Sequence, residues 1–369
     1  MISFGPTEEQ SVAREAMREF ASKAMRPIAR DCDETASVPD AFLQSVWELG
    51  LTATQIPEAY GGAGEARSPV TNALVLEELA YGDVSLALAA LAPSLFANAI
   101  VDLGSEAQKR AYLPLFSSER FHAASLALLE PSPAFDVLST RTVAEPKGDG
   151  FVLSGRKSFV PLGERASHFL VLARCGAGFG FDALDAFILP RDVKGLSLSP
   201  AEKNLGLRAL ATTGLVLDRV EVPAASRLGG ERGIDARRLV NASRAAIAIA
   251  LTGLARAVSE YCIPYAKERV AFGEAIAKKQ AIAFALAEMR IETDAMRLLA
   301  WKAASQLEHG QDATKSAQLA RDYAAEECMK IADNGVQVLG GHGYIREHPV
   351  EMWYRNARTL GVLEGTVTL

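Results

Sequence analysis

Three long helical segments fill the last third of the chain, and they restrict its fold more than any other feature of the sequence. Residues 245–273, AAIAIALTGLARAVSEYCIPYAKERVAFG, form an apolar stretch that is rich in alanine. Residues 278–310 and 314–341 follow after short links, and each ends in glycine, a residue that commonly terminates helices. Because long neighbouring helices with short links pack side by side, residues 231–369 are predicted to form a four-helix bundle domain.

The first third of the chain also carries helical signals. Thr7 and Ser105 are each followed three residues later by glutamine, which is the spacing of a capping box at a helix start. Residues 84–101 form the longest run without a charged side chain, long enough to raise the question of a membrane span. Since this run contains serines, a proline and an asparagine, it favours a buried core helix. Residues 1–120 are therefore predicted to form an N-terminal helical domain.

The middle of the chain alternates between apolar and polar residues, as half-buried strands do. The sequence KGDG at residues 147–150 predicts a hairpin turn between two β-rich runs. Glycine and proline punctuate the segments that follow. Residues 121–230 are therefore predicted to form a small antiparallel β barrel, which makes the whole chain mainly α with a central β domain. Further strands are expected at HFLVLARC, DAFILP and LVLDRVEVP.

Composition and charge argue against several classes of function. The chain has 369 residues, of which 49% are hydrophobic, so a globular protein of several domains is expected. Its net charge is −6 and no block of lysine and arginine occurs, which argues against nucleic acid as the main partner. Four cysteines without a CxxC pair and five dispersed histidines give no reason to expect a metal site. The first ten residues do not resemble a signal peptide, so a cytoplasmic protein is expected.

Several short motifs occur in order along the chain. They are YGG, LEELAYGDVSLAL, LLEP and GRKSFV, then EKNLGLRALATT, YAKERVAFG, QVLGGHGY, YRNAR and EGT. Their order and spacing resemble those of the acyl-CoA dehydrogenases, and the resemblance covers essentially the whole chain. It implies that family's architecture, and it implies a homo-oligomer, either a dimer or a tetramer.

The resemblance also implies a reaction, since this family oxidises acyl-CoA thioesters with FAD in fatty acid metabolism. A carboxylate removes the α-proton while the β-hydrogen leaves as a hydride to flavin N5, and the product is a 2-enoyl thioester. An electron-transfer flavoprotein is then the expected electron acceptor. The base in such a reaction has to be ionised and yet shielded from water.

Glu364, in the segment that matches EGT, is the residue to which the resemblance assigns the role of base. Without the resemblance, it would be taken for a solvated charge near a fraying chain end. Some relatives place the base on the first C-terminal helix, just before an arginine, and here that position is Ser243, followed by Arg244. A serine cannot serve as that base, which leaves Glu364. Arg244 matches an arginine near the acyl pocket, and it also fits an ordinary charge at a helix start.

The resemblance assigns a further set of residues to the adenosine and diphosphate end of FAD. A guanidinium suits the diphosphate, and glycines permit a close approach of the backbone to the cofactor. The LGG sequence also fits a helix C-terminal cap, and both interpretations can hold together. In the family these contacts come from neighbouring subunits, so FAD binding implies at least a dimer. The residues are Arg269 for the diphosphate, Phe272 and Gln280 for the adenosine, the loop residues Gln337, Val338, Gly340 and Gly341, and Thr366.

At the flavin ring and on the substrate side, the chain departs from the family pattern. Two threonine hydroxyls that approach the flavin are replaced, at Leu129 and at Pro161, and proline also lacks an N–H. Losing two hydrogen bonds would weaken flavin binding by about 1–3 kcal/mol in total. The other residues at these positions are Phe159 and Val160, of which Phe159 can still cover the ring, and Phe135 and Asn241, which stand where a serine and an aspartate contact the carrier part of the thioester.

These departures leave three hypotheses. The first is an FAD-dependent acyl-CoA dehydrogenase that passes electrons to an electron-transfer flavoprotein. The second is a non-catalytic subunit of a mixed assembly with the same fold. The third keeps the flavin but acts on a carrier-protein thioester, or works as an oxidase or monooxygenase.

Overall fold

The computed structural model of the chain describes residues 5–176 and 178–369. Residues 1–4 lie outside the described part of the chain. They belong to the N-terminal segment on which the signal-peptide prediction rests. Up to residue 120 the described chain is helical, as predicted. The helices are α1 (Glu8–Phe20), α2 (Arg26–Thr35), α3 (Asp40–Trp47), α4 (Pro69–Gly82), α5 (Val84–Leu103) and α6 (Glu106–Tyr112), and a π-helical turn (Ala21–Met25) joins α1 to α2.

Both predicted capping boxes are present. The Thr7 hydroxyl accepts a hydrogen bond from the Gln10 backbone N–H at 3.2 Å, and the Gln10 side chain accepts one in return from the Thr7 backbone N–H at 3.0 Å. Ser105 and Gln108 form the same reciprocal pair at the start of α6. The caps satisfy backbone N–H groups that a helix start leaves without partners, so the chain enters both helices where the sequence predicts.

Helix α5 is the predicted core helix. Both α5 and the long helix α7 (Ala236–Glu268) are long and apolar enough to cross a membrane, but 94% and 83% of their most apolar windows are buried inside the protein. The prediction for residues 84–101 is therefore confirmed. Asp83 caps α5 by accepting a hydrogen bond from the Leu86 backbone N–H at 2.9 Å.

Asp83 gives the first testable prediction, because it is fully buried and burial raises its pKa from 3.8 to about 6. The folded protein therefore binds a proton at Asp83 between these two pH values, where the unfolded chain does not. The stabilising contribution of protonated Asp83 is complete below the unfolded pKa and is lost as pH rises through the folded pKa. Asp83→Asn keeps the cap and removes the charge, so it is expected to raise stability at pH 8 by about 1–3 kcal/mol.

Urea unfolding of wild type and of Asp83→Asn at half-unit steps from pH 4 to pH 8 checks this expectation. The wild type should lose stability relative to the variant as pH rises. Parallel curves for the two proteins would mean that Asp83 does not titrate in this range.

The middle of the chain forms one sheet that contains seven strands within the described residues. The predicted hairpin at KGDG is confirmed, since Lys147 pairs with Gly150 where β2 turns into β3. The order of pairing is β1-β4-β2-β3-β7-β6, and β5 pairs with β4. The strands are β1 (Ala124–Ala127), β2 (Val143–Lys147), β3 (Gly150–Pro161), β4 (His168–Cys175), β5 (Leu184–Pro190), β6 (Leu196–Leu198) and β7 (Thr212–Pro223).

The prediction that this sheet is antiparallel is wrong for part of it. Strand β4 lies between β1 and β2 and runs parallel to both. Parallel neighbours need long connections, and the chain supplies them because β2 and β3 lie between β1 and β4 in sequence. The sheet is therefore mixed, and its closure into a barrel stays a prediction.

The C-terminal part is helical, as predicted, and it packs against the N-terminal helices. Helix α7 contacts α4, α8 and α9, and Gly253 lets α4 approach closely, since a Cβ there would lie 2.4 Å from the Glu77 carbonyl oxygen. The four-helix bundle geometry and the domain boundaries at residues 120/121 and 230/231 stay predictions. The remaining elements are a hairpin of β8 (Val270–Ala271) and β9 (Glu274–Ala275), then α8 (Gln280–Glu308), α9 (Thr314–Leu339) and α10 (Val350–Leu360).

Candidate active site

One cleft brings together five of the residues singled out in the sequence. It has a volume of about 470 Å³ and lies where the loop after β1, the end of β3, helices α7 and α9, and the segment after α10 meet. Its walls combine apolar side chains with two arginines and a glutamate. The predicted residues in it are Leu129, Phe135, Phe159, Arg244 and Glu364, and the others are Ser132, Pro133, Asp136, Val137, Leu138, Gln318, Arg321, Val362 and Leu363.

Glu364 is held inside this cleft and is not a loose charge at the chain end. Its side chain is only 11% exposed. Oε1 accepts a hydrogen bond from Arg244 Nε at 3.1 Å, and Arg321 Nε lies 3.8 Å from the same oxygen. Oε2 is buried and has no hydrogen-bond partner within the described residues. The carboxylate is thus anchored to two cations through one of its oxygens.

The backbone next to Glu364 is also fixed. The Gly365 N–H donates a hydrogen bond to the Ser243 hydroxyl at 3.1 Å, so the serine that occupies the alternative base position helps to hold Glu364 in place. Gly365 has a φ of +72°, and a Cβ there would lie 2.6 Å from the Leu128 Cβ. The glycine of EGT is therefore required both by its backbone conformation and by the close contact with Leu128.

The loop after β1, which carries Leu129, is fixed by a buried ion pair. Lys157 Nζ donates hydrogen bonds to Glu130 Oε1 and to the Leu128 carbonyl, both at 3.0 Å. Burial lowers the pKa of Lys157 to about 8, although Glu130 opposes that shift. Burial works to raise the pKa of Glu130, but the charge of Lys157 and hydrogen bonds from Thr142 and Arg141 lower it overall. The pair therefore clamps both sides of Leu129.

The end of β3 has an unusual backbone at Phe159. This residue has a φ of +53°, and its N–H donates to both carboxylate oxygens of Glu202, at 3.1 and 3.0 Å. The adjacent Ser158 N–H donates to the Leu129 carbonyl at 2.9 Å. Val160 is buried, and Pro161 pairs with Thr212 of β7. The strained backbone turns the Phe159 side chain to the cleft.

Asn241 is not among the residues that line the cleft in the described chain. It lies one turn before Arg244 on α7 and is 3% exposed. Its Nδ2 donates to the Thr314 hydroxyl at 3.1 Å, while its Oδ1 is buried without a partner among residues 5–176 and 178–369. Its predicted contact with the carrier part of a substrate stays a prediction.

The residues predicted for the adenosine end of FAD form a second, exposed group. Arg269 follows the end of α7, Phe272 lies in the β8–β9 hairpin, and Gln280 begins α8. Phe272 is 94% exposed and has a φ of +55°. Such an uncovered aromatic ring fits a site that is completed by another molecule.

The loop after α9 lies close to the end of α7. The Tyr265 hydroxyl donates to the Leu339 carbonyl at 3.3 Å, which ties the two helix ends together. Gln337 and Val338 are in the last turn of α9. A Cβ on Gly340 or Gly341 would meet no described atom within 4 Å, so the backbone there is open to a ligand.

These observations fit FAD at the predicted positions. Arg269 is exposed and can reach a diphosphate, and Phe272 presents an uncovered ring. The Thr366 hydroxyl is buried beside Glu364 and has no hydrogen-bond partner in the part of the chain that the structure describes. An orphaned buried hydroxyl of this kind calls for a partner from outside the chain.

Sequence reasoning missed three features of the cleft and of the segments around it, namely Arg321, the Lys157–Glu130 pair and Glu202. The motifs LLEP and GRKSFV contain the pair, and a lysine within a strand that is otherwise buried calls for a carboxylate partner. No comparable feature of the sequence marks Arg321, because the spacing of apolar residues along α9 does not indicate a contact with the end of the chain.

Three family models match successive parts of the chain. The N-terminal domain of acyl-CoA dehydrogenase matches residues 7–120, the middle domain matches residues 125–220, and the C-terminal domain matches residues 232–368. Together they cover almost the whole chain in the order that the motifs predict.

Curated relatives match over almost their full lengths. An acyl-CoA dehydrogenase of Bacillus subtilis (strain 168) is 34% identical over 363 residues, which are 98% of this chain and 95% of the relative. A 3-(aryl)acrylate reductase of Clostridium sporogenes is 31% identical, over 98% of this chain and 96% of the relative.

Solved structures also match the fold. Butyryl-CoA dehydrogenase from Megasphaera elsdenii has a TM-score of 0.89 at 29% identity, over 100% of this chain and 96% of its own. A chain from the structure of the electron transferring flavoprotein of Acidaminococcus fermentans has a TM-score of 0.88 at 29% identity, over 100% and 96%. The prolyl acyl carrier protein oxidase AnaB has a TM-score of 0.87 at 28% identity, over 99% and 96%.

Proposed function

Because this chain belongs to the acyl-CoA dehydrogenase family, we propose that it removes the α- and β-hydrogens of an acyl-CoA thioester, with Glu364 as the base. Enzymes of this family are FAD-dependent flavoproteins, and the chain is an oxidoreductase that acts on CH–CH groups. One observation carries the proposal. Glu364 lies in a cleft with Oε1 held by Arg244 and with Oε2 buried, where the described residues offer it no hydrogen-bond partner.

When bound, FAD would accept the hydride that leaves the β-carbon. The residues that would hold it are Arg269 at the diphosphate, Phe272 at the adenosine, and Thr366 through its buried hydroxyl. Phe159 and Leu129 would contact the ring as apolar walls. Gln280 and the loop residues Gln337, Val338, Gly340 and Gly341 would complete the adenosine end. Val160 and Pro161, which are buried at the end of β3, would lie at the flavin-ring end of the site.

The proposed proton transfer depends on how Glu364 is held. Arg244 anchors Oε1, so the carboxylate keeps one orientation and presents Oε2 to the thioester α-carbon. The hydrogen bond from Gly365 to Ser243 limits movement of the backbone on which Glu364 sits. A base held in this way is already placed for the reaction, which lowers the entropic cost of proton transfer.

The cleft walls would exclude water from the reacting atoms. Pro133, Phe135, Leu138 and Phe159 supply apolar surface to the cleft that Glu364 also lines. A volume near 470 Å³ is within the range of small-molecule sites. Exclusion of water strengthens the interaction of the carboxylate with a developing charge on the substrate.

A carrier-protein thioester is the second candidate substrate. Phe135 lies in the cleft, at the position where a serine would contact the carrier in the family pattern. One structural neighbour, AnaB, is named as an oxidase of a prolyl acyl carrier protein. Both substrates expose the same thioester to Glu364, so the proposed chemistry does not depend on the carrier.

The proposal disfavours a non-catalytic subunit. Glu364 is a largely buried carboxylate that pairs with two arginines. Burying charged groups costs free energy unless they are paired, so a subunit without catalytic activity would gain nothing from this arrangement. The presence of Arg244, Arg321 and Glu364 together, despite the free-energy cost of burying their charges, therefore favours a catalytic chain.

The proposed partners follow from the family. We propose an electron-transfer flavoprotein as the electron acceptor, since one structural neighbour comes from the structure named for such a flavoprotein. A homodimer or homotetramer is proposed because the exposed residues Phe272 and Gln280 suit contacts that cross between subunits. A cytoplasmic location stays a prediction.

Absorbance spectra of the purified protein test the proposed function. The protein should show the bands of an oxidised flavin, and an acyl thioester should bleach them without oxygen. The panel comprises short, medium, branched and aromatic acyl-CoAs, and the same acyl groups on a carrier protein. Bleaching by the carrier-linked set alone selects the second candidate, and bleaching by none of them contradicts the proposal.

Arg269 provides a separate prediction about the cofactor. Arg269→Ala removes the proposed partner of the diphosphate, and a hydrogen bond to a charged group contributes about 1.5–3 kcal/mol. The dissociation constant of FAD, measured by fluorescence on adding FAD to the apoprotein, should therefore rise by about 10-fold to 100-fold.

Lys267→Ala is the matched control for Arg269→Ala. Lys267 is an exposed cation two residues earlier, so its loss should leave FAD binding nearly unchanged. Equal affinities for FAD in Arg269→Ala and the wild type would remove Arg269 from the proposed site.

A further inference from the structure

Arg321 is a second cation at the carboxylate of Glu364. Its side chain is only 17% exposed although it projects from α9 into the cleft. Nε lies 3.8 Å from Glu364 Oε1, and Nη2 donates a hydrogen bond to the Leu363 carbonyl at 3.3 Å. The same guanidinium therefore contacts both the backbone just before Glu364 and its carboxylate.

The contacts of Arg321 and Arg244 are complementary. Arg244 comes from α7 and hydrogen-bonds to Oε1 at 3.1 Å. Arg321 comes from α9 and approaches the same oxygen, whereas Oε2 has no hydrogen-bond partner among the described residues. Two cations on one carboxylate oxygen fix which oxygen faces away from them.

We infer that Arg321 is a positioning residue for the base, which holds the Leu363–Glu364 backbone and shares with Arg244 the anchoring of Oε1. Oε2 is then the oxygen that takes the α-proton. This inference rests on the proposed function of Glu364. Arg321 itself does not touch the reacting atoms in this account.

The alternative is that Arg321 only stabilises the fold. Its other ion pair, from Nη1 to Asp322 Oδ1 at 3.2 Å, is with a neighbour on α9 whose side chain is 52% exposed. Exposed pairs of that kind contribute little to stability. The buried contacts of Arg321 are instead those to Leu363 and Glu364, which points to the segment that carries the base.

The other charged side chains that line the cleft with Glu364 come from three elements. Arg244 lies on α7, Arg321 lies on α9, and Asp136 lies on the loop after β1. Removing Arg321 leaves Arg244 as the one cation that lines this cleft within the described residues. Oε1 is then anchored from α7, and the Leu363 carbonyl loses its hydrogen bond to the guanidinium.

The test compares Arg321→Met with Arg321→Lys and with the control Arg290→Met. Methionine keeps much of the length and removes the charge, and lysine keeps the charge but cannot bridge two partners in the fork geometry of a guanidinium. Arg290 is 67% exposed, pairs with Asp294 on the surface of α8, and is outside the residues that line the cleft of the described chain.

The readouts are anaerobic flavin reduction at several thioester concentrations, and bound flavin content. Arg321→Met should slow the limiting rate by about 10-fold to 100-fold, which is the cost of a misplaced reacting group. Flavin content and the half-saturating thioester concentration should stay close to the wild type. Arg321→Lys should show an intermediate limiting rate, and Arg290→Met should match the wild type throughout.

Hydrogen–deuterium exchange of the peptide that spans residues 361–369 supplies a readout without turnover. Faster exchange is expected in Arg321→Met than in Arg321→Lys, because the contact with Leu363 is lost. A wild-type limiting rate in Arg321→Met, or unchanged exchange in this peptide, would overturn the positioning role. Absence of flavin reduction in the wild type itself would instead contradict the proposed function. The exchange result would still show whether Arg321 holds the backbone at Leu363.

Discussion

Glu364→Gln is expected to slow anaerobic flavin reduction by an acyl thioester about 10²-fold to 10⁴-fold, the range that a positioned general base contributes. The fold and the flavin content should be unchanged. Glutamine has the same shape and still offers an oxygen to the hydrogen bond from Arg244. What it lacks is the ability to take up the α-proton. Stopped-flow absorbance of the bound flavin measures the effect directly.

Glu326→Gln is the matched control for this change. Glu326 is an exposed residue of α9 that pairs with Lys330, so the same chemical change there should leave flavin reduction unaltered. A Glu364→Gln variant that reduces its flavin at the wild-type rate would rule out Glu364 as the base. Loss of the flavin from the variant would instead assign Glu364 a role in cofactor binding.

Lys157→Met is expected to destabilise the protein by about 3–5 kcal/mol, since it leaves Glu130 as an unpaired buried charge. The Lys157 side chain has no exposed surface and that of Glu130 is 6% exposed. The substitution also releases the Leu128 carbonyl, so the loop that carries Leu129 loses its clamp. Thermal and urea unfolding, followed together with flavin content, should both show the loss.

Two further variants separate this buried pair from surface charge. Lys147→Met removes a lysine from the same sheet whose partner, Glu221, is 63% exposed, and such a pair contributes about 0–1 kcal/mol. The double variant Lys157→Met with Glu130→Leu removes both buried charges and should recover much of the lost stability. If Lys157→Met unfolds like Lys147→Met, the pair has little part in holding the loop.

Local signals in the sequence predicted the helical elements well. The glutamine three residues after Thr7 and Ser105 marks a helix start because both partners of the capping box are local. The uncharged run at residues 84–101 can also be recognised locally as a core helix. Its apolar composition alone favours burial. The KGDG turn is equally local.

The sheet shows where local signals stop. The sequence of strand β4 is an apolar segment like those of the other strands. Nothing in its residues indicates that it lies between β1 and β2. Its parallel pairing is decided by which neighbours complete the hydrogen bonding of the sheet. The antiparallel prediction is therefore correct for the pairs β2–β3, β3–β7, β6–β7 and β4–β5, and it is wrong for the pairing of β4 with β1 and with β2.

The candidate site shows the same division. Glu364 and Arg244 were singled out because their motifs resemble a family, and the structure brings them within hydrogen-bond distance. Arg321 and Glu202 act through contacts between segments that are far apart in sequence, so no motif marks them. The exposed residues Phe272 and Gln280 are predicted to contact the cofactor of a neighbouring subunit. The structure of a single chain does not test that prediction.

The central claim is that Glu364 removes the α-proton of a thioester, and exchange of that proton tests it most directly. A thioester with sulfur at the β-position keeps its α-hydrogens but has no β-hydrogen to lose, so proton removal is observed without oxidation. In heavy water the wild-type protein should exchange these α-hydrogens for deuterium, and Glu364→Gln should not, as followed by mass spectrometry. Equal deuterium incorporation by the wild type and Glu364→Gln would contradict the account.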